Sequence, residues 1–473
     1  MAQRCVCVLA LVAMLLLVFP TVSRSMGPRS GEYQRASRIP SQFSKEERVA
    51  MKEALKGAIQ IPTVTFSSEK SNTTALAEFG KYIRKVFPTV VSTSFIQHEV
   101  VEEYSHLFTI QGSDPSLQPY LLMAHFDVVP APEEGWEVPP FSGLERDGVI
   151  YGRGTLDDKN SVMALLQALE LLLIRKYIPR RSFFISLGHD EESSGTGAQR
   201  ISALLQSRGV QLAFIVDEGG FILDDFIPNF KKPIALIAVS EKGSMNLMLQ
   251  VNMTSGHSSA PPKETSIGIL AAAVSRLEQT PMPIIFGSGT VVTVLQQLAN
   301  EVYGEKSLNQ CNNQDHHGTH HIQSRVAQAT VNFRIHPGQT VQEVLELTKN
   351  IVADNRVQFH VLSAFDPLPV SPSDDKALGY QLLRQTVQSV FPEVNITAPV
   401  TSIGNTDSRF FTNLTTGIYR FYPIYIQPED FKRIHGVNEK ISVQAYETQV
   451  KFIFELIQNA DTDQEPVSHL HKL

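Results

Sequence analysis

Regular patterning begins at Ser44. Ser44 and Glu47 have the spacing of a capping box ahead of an amphipathic run, which predicts a helix over 45–58. Helical periodicity returns near 73–86, 160–175 and 196–207, and continuous apolar runs near 106–111, 120–125, 182–188 and 213–217 predict buried strands between those helices. Strand–helix alternation of this kind predicts an α/β fold: a mostly parallel sheet with helices on both faces.

The period changes after Lys242. SMNLMLQVNM (244–253) alternates like a strand with one buried face. A helix near 266–278, a strand over 327–335, a helix over 341–353 and a strand over 356–363 follow, which together read as a smaller α+β unit inserted into the larger one. A helix over 375–390, a strand over 418–423 and a last helix over 443–458 return to the first unit. The expected organisation is a leader at 1–25, a first segment of the larger domain at 26–239, an inserted smaller domain at 240–366 and a second segment of the larger domain at 367–473. Residues 300–325 are anomalous: polar, poor in β-branched residues and without a period, unlike a segment of a compact domain.

Composition narrows the class. At 473 residues, 42% hydrophobic and 19% charged, the chain can bury a large core in two or more domains. A formal charge of −7 with no basic tract argues against nucleic acid as a partner. Arg4, the apolar run Cys5–Phe19 and Pro20 describe a secretory signal peptide, and the run is shorter than the roughly 20 apolar residues of a membrane span. The expected location is therefore extracellular, with no transmembrane span after cleavage. Cys5 and Cys7 lie within the signal, so Cys311 alone would remain and no internal disulfide is expected. Asn72, Asn252, Asn395 and Asn413 head N-glycosylation sequons.

Chemistry collects where apolar strands end. His125 and Asp127 in HFDVVP stand two apart and so project to one side of an extended chain. YGRGTLDDKN brings Asp157 and Asp158 before a helix, GHDEESSG brings Glu191 and Glu192 after a strand, VDEGG brings Asp217, and RIHGVNE brings His435. Taken singly, each has a bland reading: a core histidine, a solvated turn, or acids at a helix N-terminus. Taken together, histidines and carboxylates from several strand ends suit a borderline metal such as zinc.

The set HFDVVP, GRGTLDDK, GHDEESSG, VDEGG and RIHGVNE, in this order over about 45–458, resembles the di-zinc aminoacylase and carboxypeptidase family, and within it the carboxypeptidase-S-like branch. The resemblance implies two zinc ions bridged by Asp157, one completed by His125 and Asp217, the other by Glu192 and His435. It implies that Asp127 orients His125, that Glu191 is the general base, and that the Asp157–Asp158 peptide is cis. It implies that His257 in SGHSSAPP supports an oxyanion, in dimeric members across a homodimer. It implies that Arg334 in NFRIHPG serves the lid and that Arg409 in GNTDSRF holds a substrate carboxylate. For those three the bland reading is an exposed loop histidine and surface arginines.

The activity implied is hydrolysis, and in reverse synthesis, of N-acyl amino acids, with fatty acyl chains favoured by the branch; the substrate would be a small molecule. A carboxypeptidase acting on short peptides is the second reading. One departure matters. Family lids carry an Asn-x-Ile-Pro strand between the regions of His257 and Arg334, and residues 300–325 stand there instead. A variant form with an altered lid, keeping zinc with impaired activity, is the third reading. His316, His317, His320 and His321 near Cys311 form a rival metal tract, but Gly318 and the absent apolar face argue for a solvated loop.

Overall fold

The computed structural model describes residues 38–67, 70–224, 232–253, 262–280 and 326–461. The expected leader, His257, Cys311, the histidine tract and 300–325 lie outside the described residues. The described residues from Ile39 onward belong to one compact unit.

Its centre is a ten-stranded sheet. Strands run in the order 425–426, 222–223, 234–241, 418–420, 215–217, 120–125, 183–188, 105–110, 96–101, and strand Ile396–Ser402 pairs with Ile234–Glu241. Tyr120–His125 lies parallel to both Phe183–Gly188 and Ile215–Asp217, with His125 opposite Gly188 and Leu122 opposite Val216. YLLMAH and FFISLG are buried along their whole length, as continuous apolar runs in parallel strands must be. The parallel centre matches expectation, but the sheet is mixed. The hairpin of Ile96–Val101 with Ser105–Ile110, and the pairing of Ile222–Leu223 with Ile234–Glu241, are antiparallel.

Helices cover the sheet for reasons visible in their sequences. Ser44 Oγ accepts from Glu47 N at 3.2 Å and Glu47 returns the bond to Ser44 N at 2.7 Å, so the capping box starts Lys45–Ile59 as expected. KNSVMALLQALELLLI (Lys159–Ile174) is apolar nearly all round and buried, packed between the sheet and Val443–Ala460. The ring of Tyr120 is stacked between Phe183 and Phe214, with centroids 5.0 Å away on each side. Each such buried side chain contributes about 1.5–3 kcal/mol.

A separate three-stranded sheet has Gly243–Asn252 in the middle, antiparallel to Val326–Ile335 on one side and Val357–Phe365 on the other. Its alternation is the one read from SMNLMLQVNM: Met245, Leu247, Leu249 and Val251 are buried against Ile269, Leu270 and Ala273 of Ser266–Gln279 and Val344 and Val352 of Val341–Val352. No helix among the described residues is long and apolar enough to cross a membrane.

The edge hairpin brings together a buried His106 and a half-buried His98. His98 Nε2 and His106 Nδ1 are 3.0 Å apart, and the His98 ring stacks on Phe108 at 4.2 Å. Burial, aided by the Arg84 charge, holds His98 down to about 4; burial, aided by the His98 and Arg84 charges, holds His106 down to about 3. The unfolded chain, with ordinary values near ~6.5, therefore takes up these protons first as pH falls. Their contribution to stability is full above that value and is lost as pH drops toward about 4. The urea midpoint should fall between pH 7.5 and pH 5, and less so in His98→Phe; an equal drop in both proteins would refute the assignment.

Candidate metal centre

Three neighbouring parallel strands end side by side, and the site is built on their C-terminal ends, where α/β sheets place ligands. His125 is the last residue of Tyr120–His125, Glu191 and Glu192 follow Phe183–Gly188 in a tight turn, and Asp217 closes Ile215–Asp217. Asp157 comes from the loop before Lys159–Ile174, and His435 from the loop before Lys440–Ser442.

Asp157 stands at the centre. Its Oδ1 lies 3.0 Å from His125 Nε2 and its Oδ2 lies 2.9 Å from His435 Nε2. His435 Nε2 is also 3.0 Å from Glu192 Oε2, and His125 Nε2 is 3.2 Å from Glu218 Oε1. One carboxylate thus faces two histidines, each with a second acid of its own. The Asp157–Asp158 peptide is cis, as the resemblance implied.

The supporting contacts orient these groups. His125 Nδ1 is 3.1 Å from the Asp127 backbone oxygen and 3.4 Å from its Oδ1, which leaves Nε2 directed at the acids. The Asp127 carboxylate has a further role that strand geometry alone did not reveal. It accepts the backbone N–H groups of Glu191 at 3.0 Å and Glu192 at 3.2 Å, so it fixes the turn carrying both. Asp158 accepts from His125 N at 3.1 Å and from the Tyr422 hydroxyl.

At VDEGG the contacts divide between two adjacent acids. Asp217 Oδ2 accepts from Ser408 N at 3.0 Å, and its neighbour Glu218 is the acid that reaches His125. In the turn after a strand, consecutive side chains diverge, so VDEGG offers two acids and spacing does not choose between them. Two groups of donors have ligand atoms within 4.8 Å of one another: His125, Asp157 and Glu192; and His125, Asp158 and Glu218.

Electrostatics favour a cation here. Burial comes first in raising Glu191, Glu192, Asp158 and Asp407 above the usual carboxylate range, with neighbouring acids adding to it, and Glu218 is pushed up to about 7. The histidines respond oppositely. Hydrogen bonds to Asp157 and Glu192 raise His435 to about 10. Burial works against a proton on His125, but the Glu218 charge and its acid partners outweigh it and raise its value. Those histidines in turn hold Asp157 low despite its burial. Two histidines are too few to balance this many acids, and Glu192 Oε1 is buried without a hydrogen-bond partner. Divalent cations supply the missing positive charge and the missing partner, so the residues present fit a metal pair.

The remaining expected residues divide. Arg409 lies at the margin of the site, its guanidinium over the Phe410 ring at 4.7 Å and beside Gly195. Exposed Arg334 reaches from the smaller sheet to Asn405 Oδ1 at 3.0 Å and so ties that sheet to the GNTDSRF loop. Asp407 of that loop is buried, and its charge is among those acting on Glu191; no local pattern in GNTDSRF singles it out.

A family comparison fits this geometry. The model of peptidase family M20/M25/M40 matches residues 121–459, and the chain belongs to that family. It is 89% identical over 502 aligned positions to the N-fatty-acyl-amino acid synthase/hydrolase of Homo sapiens, with the whole of both chains covered. It is 33% identical to the probable carboxypeptidase S-like 2 of Dictyostelium discoideum over 81% of this chain and 79% of that one. Among solved structures, the M20 family metallo-carboxypeptidase of Sulfolobus solfataricus superposes with a TM-score of 0.64 at 17% identity, over 88% of this chain and all of that one. Human carnosine dipeptidase 1 gives 0.62 at 16%, over 88% and 97%. At those identities the superpositions speak for the fold alone.

The geometry predicts which of the adjacent acids binds metal. Glu218→Gln should lower the number of cobalt ions bound in a spectroscopic titration, while Asp217→Asn, which keeps an oxygen for Ser408 N, should leave it unchanged. The reverse pattern would restore Asp217 to the ligand set.

Proposed function

We propose that this chain is a secreted zinc-dependent amidohydrolase that cleaves, and in reverse forms, the amide between a fatty acyl group and an amino acid. The observation that carries the metallohydrolase reading is Asp157, whose two oxygens each face a histidine beside an acid free for chemistry. The substrate class is taken from the human relative. His125, Asp157 and Glu218 would hold one ion, and Asp157, Glu192 and His435 the other. Zinc held there would supply Lewis acidity toward the amide carbonyl and toward a water near neutral pH.

The chain's own residues do the rest. Glu191, raised by burial, receives a proton from the attacking water and passes it to the departing amine nitrogen. Asp127, holding the Glu191 N–H, fixes the turn that carries this carboxylate. His435 is 53% exposed while His125 is 2% exposed, so substrate approaches from the His435 side. Arg409, whose guanidinium suits a carboxylate by its fork geometry, would hold the amino-acid end, and Arg334 would bind substrate from the lid. His257 would support the oxyanion.

Residues 240–366 act in this reading as a lid on a catalytic domain formed by 26–239 and 367–473, and 1–25 as a cleaved signal. Glycans would sit on Asn252, Asn395 and Asn413, which are exposed. At Asn72 the amide nitrogen is engaged, donating to Pro62 O at 3.1 Å while the oxygen caps a helix.

A second observation favours an altered lid. The alignment with the human relative spans 502 positions, 29 more than the 473 residues of this chain, so that relative has at least that many residues without a counterpart here. We infer that they fall around 300–325, where the expected lid strand is missing from the sequence.

Purified chain should hydrolyse an N-oleoyl amino acid faster than an N-acetyl amino acid or a dipeptide. Glu191→Gln should lower the rate by about 10²–10⁴-fold with metal content retained. Faster turnover of the dipeptide would favour the carboxypeptidase reading. Metal binding without turnover of any of the three would mean that the shortened lid leaves the centre inactive.

A further inference from the structure

A buried acid outside the ligand set connects two of its loops. Glu439 is fully buried, four residues after His435. Its Oε1 accepts three backbone N–H groups from one turn: Gly154 at 3.0 Å, Leu156 at 2.6 Å and Asp157 at 3.2 Å. Its Oε2 accepts from Arg153 Nη1 at 2.6 Å, and Arg153 Nη2 donates to Gly436 O at 2.7 Å. The backbone closes the same seam, with Gly152 N donating to Glu439 O at 2.9 Å.

These bonds converge on two ligands. The 152–157 turn ends in Asp157, and the 435–439 loop begins with His435, some 280 residues further along the chain. The second loop does not hold its shape by intrinsic preference. His435 and Asn438 both have left-handed backbones, at φ +60° and +59°, where residues with a Cβ are uncommon. Asn438 is pinned from outside, its Oδ1 accepting Glu137 N at 2.7 Å. Hence the short distance between Asp157 Oδ2 and His435 Nε2 depends on how the two loops are tied together.

A buried ion pair can be a stability feature and nothing more, and on average it contributes little net stability. Here the direction of the bonds argues otherwise. Every bond accepted by the Glu439 carboxylate comes from the 153–157 segment, and the guanidinium that pairs with it reaches back to the residue after His435. We propose that Glu439, with Arg153 as its counter-charge, is a positioning residue that sets His435 against Asp157 and thereby the affinity of the His435–Asp157–Glu192 half of the metal centre. This rests on the metallohydrolase reading above.

The test uses full-length chain carrying Glu439→Gln and, separately, Arg153→Lys. Zinc per chain is measured after dialysis, with the zinc concentration for half-maximal activity, kcat, KM, and the melting temperature of the chelator-treated protein. Glu439→Gln keeps the shape and loses the charge. It should hold about one zinc where the unsubstituted chain holds about two, and need roughly 10–100-fold more zinc for half-maximal activity. Saturating zinc should restore kcat with KM unchanged, and Arg153→Lys should move the same way by a smaller amount. An unchanged zinc requirement with a lowered melting temperature would reduce the pair to a structural role and overturn the proposal. Should Glu439→Gln fail to fold, Arg153→Lys decides alone, and an unchanged zinc requirement there overturns it equally. If the unsubstituted chain binds no divalent metal, the metallohydrolase reading itself falls and the proposal falls with it. That outcome is distinct from two zinc ions held equally by both proteins.

Discussion

The constraint on which the rest depends is the crowding of carboxylates in a nearly dry space. Asp157, Asp158, Glu191, Glu192, Glu218 and Asp407 are brought together, and among the described residues His125 and His435 are the cationic side chains paired with them in the salt bridges. Unpaired, such a group is costly to bury, because each charge loses water and meets others of its own sign. Backbone dipoles serve Asp158 and the acids that surround this group. Asp127 takes two N–H groups, Asp158 one, Asp217 one and Glu439 three. Each such bond offsets part of the desolvation of one acid and fixes the loop carrying the next.

The scaffold tolerates so polar a centre because the layers around it are apolar and rigid. The C-terminal ends of three parallel strands set positions to within the register of the sheet, and the buried helix Lys159–Ile174 leaves Asp157 little freedom. The same use of buried acids recurs away from the centre. Glu241, fully buried, takes Arg420 Nε at 2.6 Å and Thr406 N at 3.0 Å, which anchors the loop bearing Asp407 and Arg409 where the smaller sheet leaves the larger one. Glu170 accepts Thr89 N and Val90 N at the start of a short helix. Buried carboxylates act here chiefly as anchors for chain ends and turns.

How much of this the sequence discloses depends on how local each cause is. Central strands and major helices are legible because continuous apolar runs, a capping box and a change from period 3.6 to period 2 are local signals. Strand Ile96–Val101, reading IQHEVV, is half-buried at a sheet edge and carries no such run. Strand Ile396–Ser402 contains Pro399, which counts against a strand unless a neighbour's pairing tolerates it. In the site, residues at strand ends are legible because apolar-then-polar is itself a pattern. The difference between Asp217 and Glu218 is not, since it depends on which way a turn leaves the strand. Glu439 is further from view. GVNE reads as a surface turn, and its three N–H partners lie some 280 residues upstream.

The smaller sheet raises a different question: what a change in its length can affect. Every residue at the metal centre lies outside Gly243–Phe365, and the core of the smaller sheet is a cluster of its own, closed by the helices Ser266–Gln279 and Val341–Val352. Loss of residues there leaves the carboxylate array and its anchors in place. It acts on the edge of the sheet instead. Along the outer strand Val357–Phe365, Val361, Leu362 and Phe365 stand 44%, 56% and 37% exposed, an apolar surface that a compact sheet ordinarily covers. Among the described residues, one link back toward the centre is Arg334 to Asn405, which in turn donates to Lys242 O at 2.7 Å. Among the described residues, then, a change in the length of the smaller sheet leaves the side chains of the site and their anchors where the larger sheet holds them.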